Sequence, residues 1–140
     1  MPVNLKAYPW PPMYMPRGAQ FFADAETIYL DWMDKTASPR LSTALLAIAE
    51  LRSGISPGTP LYGDYYQKED DGGDFTIVGQ NDRAWSVLSN PQNGFSYVLT
   101  TQTTEDAARA FVQYWIRPDN DQEGEIAAAL ATRWENNGNL

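Results

Sequence analysis

A chain of 140 residues with no cysteine and no histidine suits one domain with its own core. It excludes a disulfide-stapled scaffold, the usual zinc, copper and haem ligands, and nucleophile pairs that need an imidazole base. Ten Lys and Arg against 18 Asp and Glu give a formal charge of −8, which repels nucleic-acid phosphates and anionic lipid and attracts a basic protein. No cofactor is expected, and the lack of a catalytic constellation points away from an enzyme.

Residues 1–18 interleave Pro2, Pro9, Pro11, Pro12 and Pro16 with Tyr8, Trp10, Met13, Tyr14 and Met15, which predicts an extended arm lying on its own domain or on a neighbour. The prolines also break the continuous apolar stretch that a signal peptide needs, and no run of 18 apolar residues follows. The expectation is a cytoplasmic protein with no membrane span. Residues 19–140 then read as one domain.

Its first helix is expected over 20–34, where Phe21, Phe22, Ala25, Ile28, Tyr29, Trp32 and Met33 recur at helical spacing. Ser38 as N-cap and Pro39 at the first position start a second helix, with Leu41, Ala44, Leu45, Ile48 and Leu51 as its stripe and Gly54 as its stop. After the turn-rich "GISPGTP" the pattern turns extended, with strands expected at 61–67, 74–79, 83–89 and 95–101, joined by "EDDGG", "QND" and "NPQNG". In the last of these Phe95, Tyr97 and Leu99 alternate with Ser96, Val98 and Thr100. "TTEDAARAFVQYWI" then reads as a helix capped by Thr103 or Thr104 and ended before Pro118, and a final helix is expected over about 121–136. The predicted class is α+β, an antiparallel meander of about four strands with helices on one face.

Metal chemistry in this chain would have to rest on its acids, since hard cations take carboxylate oxygens. "DNDQEG" at 119–124 begins like a calcium loop, but Leu130 stands where the closing glutamate belongs, so a helix start is the better reading. In "EDDGGD" adjacent carboxylates repel one another, and Gly72 and Gly73 suit a plain hairpin turn. Even so, six of the 18 acids, Asp64, Glu69, Asp70, Asp71, Asp74 and Asp82, fall within 19 residues beside Tyr65, Tyr66 and Trp85. Acids next to aromatic rings suit the arginines and lysines of a partner, through charge-assisted hydrogen bonds and cation–π contacts. These nine residues are the predicted partner-binding surface. No metal site is expected, and no particular pair of acids stands out for glycosidase chemistry.

From Asp74 onward, Trp85 and Val87, then Phe95, Tyr97 and Leu99, lead into Thr103, Glu105, Asp106 and Arg109, with Phe111 displaced by one position. This resembles the body of small bacterial immunity proteins that neutralise polymorphic toxins, in which a strand pair precedes a helix of the form [ST]-x-[DE]-D-x-x-R-[FY]. The resemblance covers about a third of the chain, residues 74–116. It implies a non-enzymatic inhibitor that covers the active site of a cognate toxin. The alternative is a structural subunit of a larger assembly such as a phage particle, with the N-terminal arm docked on neighbouring subunits.

Overall fold

The computed structural model describes residues 19–54, 76–90, 95–116 and 122–137. They form six α-helices, α1 (Ala19–Thr36), α2 (Pro39–Ala49), α3 (Ile77–Leu88), α4 (Phe95–Leu99), α5 (Thr104–Phe111) and α6 (Gln122–Asn137). Single wide π-helical turns, Glu50–Gly54 and Val112–Ile116, extend α2 and α5.

The centre of the molecule is α2. Ser38 is extended and accepts the Leu41 N–H on its side chain, and Pro39 follows at the first turn, where its missing N–H costs nothing. From Leu41 to Glu50 every side chain is buried. A helix that is buried all round has to be enclosed, and α1, α5 and α6 enclose it. Ala44, Ala47 and Ala49 let those neighbours approach closely, while Leu45, Leu46 and Ile48 fill the space between them. The core is completed by Ile28 and Trp32 from α1, Phe111 from α5, and Leu130 and Trp134 from α6.

Between α1 and α2, Ala37 takes the left-handed conformation at φ 53° and its N–H reaches the Met33 carbonyl at 2.9 Å. That closes α1 in the manner usually left to glycine. Thr36 Oγ1 lies 3.1 Å from Ser42 Oγ, so the hydroxyl of one helix end satisfies a buried hydroxyl on the next.

The predicted α+β class is overturned, because no strand occurs among the described residues. Thr76 is instead an N-cap that accepts the Gly79 N–H, and 77–88 is one helix replacing most of two expected strands. Its inward residues are Asn81, Ala84 and Leu88, at helical spacing. The expected strand 95–101 is the short helix α4 followed by a turn. Val98 is its buried residue while Tyr97 and Leu99 are exposed, so the alternating apolar face expected there does not form. The segments α3 and α4 hold Trp85, Val87, Phe95, Tyr97 and Leu99, five of the residues that carry the immunity-protein resemblance. The expected strand 61–67 and the arm 1–18 lie outside the described residues.

The helices read from periodicity and caps are present as α1, α2, α5 and α6, and Thr103 caps α5 by accepting the Asp106 N–H. No helix among the described residues is long and apolar enough to cross a membrane. Leu45→Ala would leave a void beside α2 and is expected to destabilise the protein by about 2–5 kcal/mol. Urea unfolding checks this, with the midpoint lowered and the slope unchanged.

Candidate functional site

A groove of about 440 Å³ opens where the N-terminus of α2, the turn before α5 and the C-terminal end of α6 meet. Pro39, Arg40, Gln102, Thr103, Thr104, Glu105 and Glu135 line it. Its chemistry lies in two glutamates held by crossed threonine contacts. The Thr104 hydroxyl on α5 donates to Glu135 on α6. The Thr132 hydroxyl on α6 lies 2.9 Å from Glu105 Oε1 on α5 and 3.0 Å from the Ala128 carbonyl. Both carboxyls line the same groove.

Their proton affinities move apart. For Glu105, burial favours the neutral acid, but its own backbone N–H, Thr132, Glu135 and the Arg109 charge outweigh it and hold the carboxyl below the usual 4.5. For Glu135, burial pushes the carboxyl above 4.5; the Thr104 hydroxyl pulls it back, and the bond and charge of Glu105 push it further up. Arg40 faces the groove as the third charged group, and its guanidinium donates to Thr101 Oγ1.

Of the nine residues expected at a partner surface, Asp82 and Trp85 are described. Asp82 lies on α3 with its side chain 62 % exposed, and its carboxylate is 2.7 Å from Lys35 Nζ. The same ammonium binds Asp31 at 2.8 Å, and Asp31 also accepts from Asn81 Nδ2 at 2.9 Å. Burial works against the Lys35 charge, but the bonds to Asp31 and Asp82 win and raise its pKa above 10.5. Trp85 is half-buried and packs edge-on against Trp32 and Phe95. Both residues therefore have roles within the fold, tying α3 to α1 and α4. Asp64, Tyr65, Tyr66, Glu69, Asp70, Asp71 and Asp74 lie outside the described residues.

Other ion pairs also tie helices together. Arg52 Nη1 meets Glu123 at 2.8 Å, and Arg109 bonds both Asp106 and Glu125. Glu50 is fully buried and accepts from Trp134 Nε1 at 2.9 Å. Among the described residues no three acids gather as a metal-ligand group.

The outer face of α1 is different. Ala23, Glu26, Thr27, Leu30, Asp34 and Ala37 are exposed along one side, and Leu30 keeps half of its surface in water. Glu26 and Asp34 stand one turn to either side of Leu30, about 6 Å away along the axis. Neither takes part in an ion pair among the described residues.

No family model, curated protein or solved structure matches the chain. Function has to be read from the residues of this chain alone. The sequence reading passed over Glu135 and took Glu105 only as a first-turn acid suited to the helix dipole. The neighbouring pairs Thr104-Glu105 and Trp134-Glu135 carry no one-dimensional sign that they will meet. Leu30 was outside the apolar stripe assigned to its helix, and that omission was the available signal for the α1 face.

Lys35→Met would leave Asp31, only 12 % exposed, with Asn81 in place of a cation, and is expected to cost about 1–3 kcal/mol. Asp82→Asn, at an exposed position, should cost less than about 1 kcal/mol. Because the folded pKa of Lys35 is raised, its stabilisation is complete below 10.5 and is lost as pH rises through the folded value. Chemical denaturation at alkaline pH should therefore show a decline in wild type that is reduced in Lys35→Met.

Proposed function

We propose that the protein is a non-enzymatic acidic binding protein that engages a basic partner and inhibits it by covering its surface, as an immunity protein covers its toxin. The α1 face carries this reading: two exposed acids flank an exposed leucine on a helix side that no described element covers. Lys35, Arg52 and Arg109 are each engaged with acids of the same chain, and the formal charge is −8 with all ten Lys and Arg counted. Such a surface attracts a cationic partner over distance and offers an apolar contact at its centre.

A second reading, a subunit of a larger assembly, draws on α4. Tyr97 and Leu99 are more than half exposed, and Tyr97 stacks on Tyr114 at 4.6 Å between ring centroids. An exposed ring stacked on a half-buried one, beside an exposed leucine, suits a neighbouring copy or subunit.

Affinity capture from source cells at low and moderate salt, followed by binding kinetics with the captured protein, tests the first reading. One basic protein in near-equal amount is expected. Its association should slow with salt and slow about tenfold or more on Glu26→Lys with Asp34→Lys, dissociation changing less. Recovery of self-copies or of several assembly components would overturn it in favour of the second reading. Unchanged association by the charge-reversed variant would remove α1 as the contact face.

A further inference from the structure

We propose that the groove between the start of α2, the turn before α5 and the end of α6 binds a small basic amino acid, with Arg40 taking its carboxylate and Glu105 and Glu135 its cationic groups. The two signs of charge come from different helices. Arg40 is on α2, Glu105 on α5 and Glu135 on α6, and all three line one space of about 440 Å³, a size typical of small-molecule sites. None of the three belongs to an ion pair among the described residues. The guanidinium therefore stands beyond ion-pair reach of both carboxyls, and the opposite charges of the groove are left open to a ligand that carries both.

Each end is braced and keeps binding capacity. Arg40 Nη1 is 2.5 Å from Thr101 Oγ1, and that hydroxyl is 2.6 Å from the Val98 carbonyl, so the side chain is anchored on the turn after α4. A guanidinium has five N–H donors in a planar fork, and the contact with Thr101 is the hydrogen bond that Arg40 makes with its side chain among the described residues. A ligand carboxylate accepts such a fork at its two oxygens. At the other end the Thr104 hydroxyl donates to Glu135 Oε2, which orients this carboxyl without neutralising it. Arg109 acts on Glu105 through its charge, but its guanidinium is bonded to Asp106 and Glu125, neither of which lines the groove. Burial and the charge of Glu105 hold the Glu135 carboxyl above the usual 4.5, as expected of an acid with no cation beside it.

Charge and shape select the ligand. One arginine against two glutamates leaves the groove one net negative charge. A free basic amino acid carries a carboxylate, an α-ammonium and a side-chain cation, so its three charges are matched one to one. Pro39 offers an apolar surface for its methylene stem, and Gln102 an amide that donates or accepts. An amino acid with a neutral side chain would leave one glutamate unmatched, and an amine without a carboxylate would leave Arg40 unmatched. The site uses no residue of α1, so it goes beyond the partner reading and does not rest on it.

Amide NMR titration of the full chain near neutral pH with L-arginine tests this, with L-citrulline as the analogue that lacks the side-chain charge and agmatine as the analogue that lacks the carboxylate. L-Arginine is expected to give saturable shifts centred on Arg40, on Gln102 to Glu105 and on Glu135, with a Kd in the millimolar range or below. Each analogue should bind about tenfold or more weakly, the loss of one charge-assisted contact. Arg40→Gln should remove the preference for arginine over agmatine, and Glu135→Gln should reduce the preference for arginine over citrulline. A general loosening of the fold would not split the two selectivities in this way. Equal responses to the three compounds at matched ionic strength would show an additive effect only and overturn the proposal, as would shifts centred elsewhere or no saturation in the millimolar range. Should a variant fail to fold, the ranking of the three ligands on the wild-type protein decides alone.

Discussion

The complete burial of α2 is the constraint on which the rest of the structure depends. Ten consecutive buried side chains, Leu41 to Glu50, leave that helix no face for water, so neighbours must close over every side. Alanines at three of those positions keep the neighbouring helices near, and the packing of α1, α5 and α6 follows from this. Burial also has a cost for the polar residues on α2. Ser42 meets it through Thr36, and Glu50 in part through the indole N–H that Trp134 donates to one carboxyl oxygen, whereas the Thr43 hydroxyl has no hydrogen-bond partner among the described residues. Glu50 opens the π-helical turn that ends α2, where the widened backbone changes the direction in which its side chain leaves the helix. The polar contacts thus fix how α1 and α6 are set against the central helix, which apolar packing alone specifies less sharply.

Charge is distributed around that frame in two ways. Some acids face cations or threonines of another helix, as Asp82 on α3 faces Lys35 on α1, and Glu123 faces Arg52. These pairs tie the outer helices together and use up positive charge. Others, with Glu26 and Asp34 as the plainest cases, point into solvent beside an exposed leucine. The first group serves the fold and the second is open to a partner. Glu105 and Glu135 belong with the first group, each facing a threonine of the neighbouring helix, Thr132 and Thr104.

Much of the helical framework was legible because it is written in local rules. Ser38 with Pro39, and Thr103 ahead of Glu105 and Asp106, mark helix starts through side-chain oxygens that accept first-turn N–H groups. The stretch 77–88 was misread because its β-branched Val78 and Val87 face outward while Asn81 is buried. That inversion is possible only because Asp31, fifty residues earlier, accepts the Asn81 amide. In α4 the apparent alternation of Phe95, Tyr97 and Leu99 misled in the same way, since Val98 is the residue that reaches the core. Tertiary contacts overrode both local preferences. For the site, Asp82 and Trp85 were singled out by residue type, but their packing partners were invisible. Glu105 and Glu135 reach one groove because α5 and α6 pack side by side, a fact that no spacing between them encodes.

Residue-resolved amide hydrogen exchange under native conditions tests the central claim most directly. A helical bundle closed around α2 predicts the slowest exchange at residues 41–50, at the rate of global unfolding, with continuous helical protection through the interior of α3. Fast exchange in α2 with residues 77–88 and 95–99 protected at alternate positions, as in paired strands, would contradict it.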